Sequence, residues 1–357
     1  EEIDLFEFLK DKKENFRVRP KEVWEFVERA IDILGKEKVC EILNVSKKYL
    51  CEIESKNVGI PVERFLSLLE KAKIKLERKD KEKIYLYAKR SRVPAILKLS
   101  KELLFFFGLW LAEGSFNRDG VRVSINSKEY PFILSVLSKC FDKLSFYRKN
   151  ENSVDIIISD YAFGRTMKLI GFKGGAKNKE IPFIFFNLSK ENLSTFLKGY
   201  FAGDASLNKK TYSPQVELTT YSKELANGTL YLLLYFGIVA KVYQDGERFR
   251  ICFSDKENLE RFLYYIGFID EAKNRAIENY LEKCKEEGRR DRIPINLLES
   301  FGVRIKRDES IKTITTNSLQ QLEFLPLTLK KILESDFYFD EVVEIKEVEK
   351  PEYVYDL

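Results

Sequence analysis

A chain without histidine must run its chemistry on other groups. None of the 357 residues here is histidine, which removes Ser/His and Cys/His nucleophile pairs, imidazole general bases and His-containing zinc sites. Carboxylates, lysines, water and an oxygen-preferring metal ion remain. Two carboxylates stand out by their setting. Glu113 lies in the run FFFGLWLAEGSF, which begins at Phe105, and Asp204 occupies the same point of FLKGYFAGDASL, which begins at Phe196. Each run is apolar, carries a glycine, and ends in a small residue, an acid and another small residue. Carboxylates brought together suit a hard divalent cation.

The elements that must position these acids are legible in the same runs. Gly108 and Ala112, and separately Gly199 and Gly203, are small residues four apart, on one face of a helix. Two such helices can approach backbone to backbone, which brings their C-terminal ends together. Glu113 and Asp204 sit at those ends, where the negative dipole termini add to their charge. Gly114 and Ala205 follow directly as helix terminators. The candidate metal site is therefore Glu113 and Asp204 with Gly114 and Ala205 adjoining.

The wider chain sets this pair in context. It is 44% hydrophobic and 33% charged with a net charge of +5, a balance that permits nucleic-acid binding without requiring it. No apolar run is long enough to span a bilayer. No secretory signal opens the chain, and the five cysteines have no metal-type pairing, so reduced thiols in a cytoplasmic protein are expected.

Three regions separate by pattern. After a short segment over 1–20, residues 21–78 read as an all-α domain. KEVWEFVERAIDILG has apolar residues at helical spacing, KEKVCEILNVSKKYLCEIES reads as two short helices with Ser46 as an N-cap, and PVERFLSLLEKAKI supplies another. The set resembles helix-turn-helix DNA-binding domains, with Lys47, Lys48 and Tyr49 near the start of the second helix; any small helical bundle would write the same pattern. Residues 79–95 form a basic linker that could also touch phosphates.

Residues 96–195 and 196–300 read as a duplication. Each copy runs motif helix, strand (GVRVSIN; QVELTT), helix, two strands (LSFYRKN and VDIIIS; AKVYQDG and RFRICFS), and a helix ending in Gly-Phe. Ser127-Lys128-Glu129 keeps step with Ser222-Lys223-Glu224. Each copy is αββαββα, an α+β fold with a pseudo-twofold axis inside one chain. Residues 301–357 hold further helical pattern and a β tail.

At this point the paired motifs resemble those of the LAGLIDADG homing endonucleases, in the two-motif (dodecapeptide, DOD-type) monomeric form found in inteins of archaea. The resemblance implies a site-specific double-strand DNA endonuclease dependent on Mg²⁺, for which Mn²⁺ can substitute. It also implies a basic residue beside each acid. In the first copy NKEIP makes that residue Lys179. In the second, RRDRIP puts Asp291 at the matching place, so Arg292 is the substitute and unequal cutting of the two strands is expected. Recognition would come from the duplicated sheets lying in the major groove. Their candidates are Arg118, Arg122, Ser124, Asn126, Arg148 and Lys149 in the first copy. The second offers Gln215, Glu217, Thr219, Lys241, Tyr243, Arg248 and Arg250.

The tail VVEIKEVEKPEYVYDL resembles the penultimate splicing block of inteins, while the opening EEIDLFEFL lacks a nucleophilic Cys or Ser. The resemblance implies the endonuclease-bearing interior of an intein that does not splice as written. Two other functions fit the same scaffold. One is a non-cleaving DNA-binding regulator, and the other is an RNA-splicing maturase.

Overall fold

The two motif runs are apolar over most of their length and must be buried. A computed structural model describes residues 1–10, 12, 14–208, 213–284, 292–304, 313–315, 318–319 and 325–335. The chain divides into two compact units, one of Glu1–Ser254 with Asn258–Glu282, the other of Asp255–Glu257 with Lys283–Leu357.

The first unit opens with β1 (Glu2–Asp4), α1 (Leu5–Leu9) and β2 (Arg17–Val18), followed by α2 (Pro20–Leu34), α3 (Lys36–Leu43) and α4 (Lys47–Ser55). Next come β3 (Ile60–Pro61), α5 (Val62–Ala72), α6 (Arg78–Lys81), β4 (Tyr85–Ala88), β5 (Ser91–Pro94) and β6 (Ile96–Lys98). Asn44 takes the left-handed conformation that ends α3, and the Ser46 hydroxyl accepts from the Tyr49 amide to start α4. That turn follows the sequence.

The all-α expectation does not hold. β2, β3, β4 and β5 form one sheet in the order β3-β2-β4-β5, so the stretch read as a basic linker is a hairpin. Leu86 and Ala88 of β4 and Val93 of β5 are buried, while the alternate positions of β4 are the half-buried Tyr85 and Tyr87, so apolar side chains on both faces hide the strand period. Residues 1–20 are woven into the same unit. β1 pairs antiparallel with β6, and Leu5, Phe6, Leu9 and Phe16 are buried.

Two runs of like order follow. The first is α7 (Lys101–Glu113), β7 (Gly114–Asn117), β8 (Gly120–Asn126), α8 (Tyr130–Leu137), β9 (Leu144–Asn150), β10 (Ser153–Ile158) and α9 (Tyr161–Leu169). After a 3₁₀ turn over Phe183–Asn187, the second is α10 (Lys190–Asp204), β11 (Ala205–Asn208), β12 (Gln215–Thr220), α11 (Lys223–Leu234), β13 (Lys241–Asp245), β14 (Arg248–Phe253) and α12 (Lys256–Tyr265). The sheets are ordered β7-β8-β10-β9 and β11-β12-β14-β13, the same topology twice. A further helix, α13 (Glu271–Lys283), has no counterpart in the first run.

The second unit pairs β15 (Arg292–Pro294) with β16 (Thr313–Thr315) and carries α14 (Ile295–Ser300) and α15 (Leu327–Leu333). Ile293, Ile295, Leu298, Leu319, Leu325 and Leu329 form its own core. The expected boundary at 300 thus falls inside this unit. The tail read as intein-like lies outside the described residues. No helix among the described residues is long and apolar enough to cross a membrane.

Candidate active site

Helices α7 and α10 meet through reciprocal glycines. A Cβ added at Gly108 would lie 1.9 Å from the Phe196 carbonyl oxygen, and one at Gly199 would lie 2.0 Å from the Phe105 carbonyl oxygen. Both obstacles are backbone, so the seam admits no larger residue. Further along, a Cβ at Gly203 would sit 2.5 Å from the Ala112 Cβ and 3.0 Å from the Glu113 Cγ. The stem of Glu113 therefore rests against the residue that precedes Asp204. Gly108, Ala112, Gly199 and Gly203 line the seam.

Neither helix ends on a left-handed cap. Gly114 and Ala205 are extended (φ −86° and −89°) and lead straight into β7 and β11. They are the C-cap residues of the two helices, in extended rather than left-handed geometry. Gly114 is required for a different reason: a Cβ there would be 2.3 Å from the Trp110 ring.

The electrostatics follow from the crowding of charge. Burial, then the charge of Glu113, push the Asp204 carboxyl up to about 7, against the opposing pull of Lys179. Surrounding protein also raises the Glu113 carboxyl, although its side chain remains open to solvent, with Lys179 and Lys149 acting the other way. A group of two acids with one nearby ammonium has a site short of positive charge.

Lys179 is 8% exposed. Its Nζ donates to the Ala112 carbonyl at 2.7 Å and to the Trp110 carbonyl at 3.4 Å, and lies 5.5 Å from the Trp110 ring centre. Burial lowers its pKa, and Asp204 and Glu113 hold part of it up. Its backbone is pinned as well, since the Ser222 hydroxyl donates to the Lys179 carbonyl at 2.6 Å while capping α11.

A second lysine went unread in the sequence. Lys273, on α13, donates to the Ala205 carbonyl at 3.2 Å and lies 5.0 Å from the Phe268 ring centre. Each motif helix thus has an ammonium bonded to a carbonyl at its C-terminal end, on Ala112 for α7 and on Ala205 just past α10. Glu129 belongs to the same neighbourhood: burial raises its carboxyl, with Lys273 opposing and Asp270 and Glu113 reinforcing. No sequence landmark marks Lys273, because α13 interrupts the repeat before the Ile-Pro that aligns with the first copy. Arg292 opens β15 in the other unit, and its side chain lies outside the described residues, as does Asp291.

The residue set tests well for a hard divalent ion. Glu113 and Asp204 are oxygen donors, but among the described residues no group of three His, Cys, Asp or Glu is placed to hold a metal. Two carboxylates completed by water and phosphate oxygens is the donor pattern of Mg²⁺ rather than of an all-protein cage.

The sheets carry the remaining candidates. Val121, Val123 and Ile125 of β8 are buried, which leaves Arg122, Ser124 and Asn126 on the other face. Asp155, missed in the sequence, joins that face and is 3% exposed. It accepts from the Ser124 hydroxyl at 2.6 Å and pairs with Lys149 at 3.0 Å and Arg122 at 3.4 Å. Burial alone would raise its carboxyl, yet these three partners hold it below the ordinary value. Asn126 uses its side-chain oxygen on the Lys128 amide.

Arg148 pairs with Val154 in the regular register of β9 and β10, on the side of Ile125, and the register shifts only beyond it, between Ser153 and Val154. In the second sheet the registers Glu217↔Cys252↔Lys241 and Thr219↔Arg250↔Tyr243 put Gln215, Glu217, Thr219, Lys241, Tyr243, Arg248 and Arg250 on one face. Arg248 donates to the Tyr221 hydroxyl at 2.8 Å, and Glu217 accepts from Asn208. Arg118 is exposed at the β7–β8 turn. Lys47, Lys48 and Tyr49 are exposed on the first turn of α4, with Lys47 paired to Glu37.

Comparison with known proteins adds three findings. Residues 191–267 match the family model of a LAGLIDADG-like domain, a stretch running from α10 past α12. Three proteins of Methanocaldococcus jannaschii are similar to the chain. DNA-directed RNA polymerase subunit Rpo1C is 27% identical over 74% of this chain and 34% of that protein. Replication factor C small subunit is 23% identical over 70% and 14%, and reverse gyrase is 22% identical over 79% and 19%. The chain spans about a third or less of the length of these relatives. Among solved structures, the homing endonuclease I-WcaI bound to its DNA recognition sequence is 18% identical with a TM-score of 0.39, over 50% of this chain and 87% of that one. Full-length DUF199/WhiA from Thermatoga maritima is 15% identical with a TM-score of 0.39, over 57% and 66%.

Proposed function

We propose that this chain is a site-specific, divalent-metal-dependent DNA endonuclease of the two-motif LAGLIDADG homing type, acting as a monomer on a long duplex. The observation that carries the reading is the seam of Gly108 and Gly199. It sets Glu113 against the residue before Asp204 and leaves Lys179 buried beside both acids. The two runs of like topology support a duplication with pseudo-twofold symmetry, which would offer one acid to each DNA strand. The exposed first turn of α4 supports a helix-turn-helix contact to DNA.

The relatives support an intein as carrier. A DNA-directed RNA polymerase subunit, a replication factor C small subunit and a reverse gyrase have different names and share with this chain only 34%, 14% and 19% of their lengths. A segment common to such different hosts behaves as an inserted element rather than as part of any host's activity.

In the reaction, Glu113 and Asp204 hold charge at the centre of the bound duplex, and they do so most strongly when both are ionised. Lys179, fixed on the Ala112 carbonyl and by Ser222, presents its ammonium to the phosphate on one strand. Lys273 plays that part at the Ala205 end in this reading, ahead of Arg292. A bound Mg²⁺, or Mn²⁺ in its stead, supplies Lewis acidity and an activated water. The face carrying Arg122 and Ser124 and the face carrying Thr219, Tyr243 and Arg250 read base edges in the major groove.

The test is cleavage selection from a duplex library with a randomised centre, with Mg²⁺ and with chelator. Recovery of one preferred sequence cut on both strands only with the metal supports the reading. Binding of DNA or of structured RNA with no cut product under any divalent ion overturns it.

A further inference from the structure

Away from the paired acids, the first unit holds a groove of about 1090 Å³. One wall comes from the segment read as a linker: Lys89, Arg90 and Arg92 of the β4–β5 hairpin, with Arg19 and Lys21 at the start of α2. The other comes from Lys98, from Asp142 and Lys143 before β9, and from Ile158–Asp160 after β10. Basic side chains outnumber the acidic ones, which are Glu82, Asp142 and Asp160.

The guanidiniums are held in place by aromatic faces. Arg92 lies 4.3 Å from the Tyr85 ring centre, and Arg19 lies 4.9 Å from that of Tyr87. Lys89 stacks on Tyr161 at 3.9 Å and reaches Asp119 at 3.0 Å, which ties the hairpin to the turn before β8. Arg90, Lys98 and Lys143 are exposed and enter no ion pair among the described residues. A cluster of uncompensated cations on a braced frame is built for a polyanion.

Its place in the fold identifies which polyanion. The groove lies at the strand ends of the first sheet and at the N-terminal end of α7, where Ser100 and Leu103 line it. Glu113 is at the other end of that 13-residue helix, about 20 Å away. A seven-residue strand such as β8 is about 23 Å long, whereas the major groove is about 12 Å wide. Strands lying across that groove must therefore overhang onto the sugar-phosphate backbone.

We infer that this groove binds the phosphate backbone of double-stranded DNA beside the segment read by the first sheet, without regard to sequence. The inference rests on the endonuclease reading for its partner, but not on cleavage. The groove contributes affinity and its salt dependence, and the acids contribute the cut.

The test compares the wild type with a triple variant, Arg90→Glu, Lys98→Glu, Lys143→Glu. A charge-matched control carries Lys71→Glu, Lys73→Glu, Lys75→Glu. Affinity for a mixed-sequence duplex of about 40 base pairs is measured by fluorescence anisotropy across a salt series. The groove variant should bind at least tenfold more weakly, with a salt slope shallower by about 3, while the control stays within about threefold of the wild type. Unchanged melting temperatures show that both variants fold. A groove variant that binds like the wild type, or a control that falls as far, overturns the inference. If the groove variant loses affinity but no duplex is ever cut, only the endonuclease reading fails.

Discussion

The Lys179 ammonium lies 2.7 Å from the Ala112 carbonyl oxygen, at the end of the helix that delivers Glu113. Burial lowers the pKa of this lysine, and the charges of Asp204 and Glu113 oppose that shift. Replacing it with methionine keeps the stem and removes the charge. Lys179→Met should lower the rate of cutting at least a hundredfold, with binding of the duplex nearly unchanged. Parallel loss of binding would make Lys179 a structural group.

The two lysines occupy opposite ends of the pair, which makes their losses distinguishable. Lys179→Met and Lys273→Met should each leave one strand cut faster than the other, and the strand spared should differ between them. Strand-specific labelling of a bound duplex reads this directly. Slowing of the same strand by both variants contradicts separate roles.

Gly108 offers a test of packing alone. An alanine there puts a Cβ 1.9 Å from a backbone oxygen, which no side-chain movement can relieve. Gly108→Ala should cost roughly 3 kcal/mol or more of stability, measured by denaturant unfolding. A cost below about 1 kcal/mol would mean that the helices do not meet at this residue.

Much of this arrangement is legible in the sequence, and the misses have physical causes. Helices α7 and α10 can be read because apolar residues cover them, leaving small residues as the only signal of contact. Strand β8 can be read because Val121, Val123 and Ile125 alternate with polar residues. Strands β2 and β3 are two residues long, too short to show any period, so the N-terminal sheet is hidden. Lys273 is hidden by α13, which interrupts the repeat. Asp155 reads as a lone acid in an apolar strand, and only its three partners reveal its purpose.

Asp155 yields a prediction about recognition. Asp155→Asn should release Arg122 and Lys149 from their shared counter-ion. Non-specific affinity for duplex DNA at low salt should rise by about tenfold or less, and discrimination between sequences should fall. Stability should fall by roughly 1–3 kcal/mol, because the buried Asp155 side chain loses the charge that its two half-exposed partners and Ser124 hold. Unaltered affinity and stability together would leave the cluster without a role.

The acids predict a pH dependence of folding. The Asp204 carboxyl titrates at about 7 in the fold and near 4 when unfolded. Its ionisation therefore opposes folding, by an amount that grows as pH rises from about 4 and is complete above about 7. Without metal, Asp204→Asn should unfold at a higher temperature than the wild type at pH 8, and the advantage should vanish by about pH 4. An advantage that instead grows as pH falls contradicts the crowding of charge at this site.

The central claim is that Glu113 and Asp204 act together as the cutting centre. The direct measurement is the cleavage rate of a bound duplex by the double variant Glu113→Gln, Asp204→Asn in saturating Mg²⁺, with affinity measured on the same samples. The account predicts that cleavage falls at least a thousandfold while binding persists. Cutting at the wild-type rate by the double variant would contradict it.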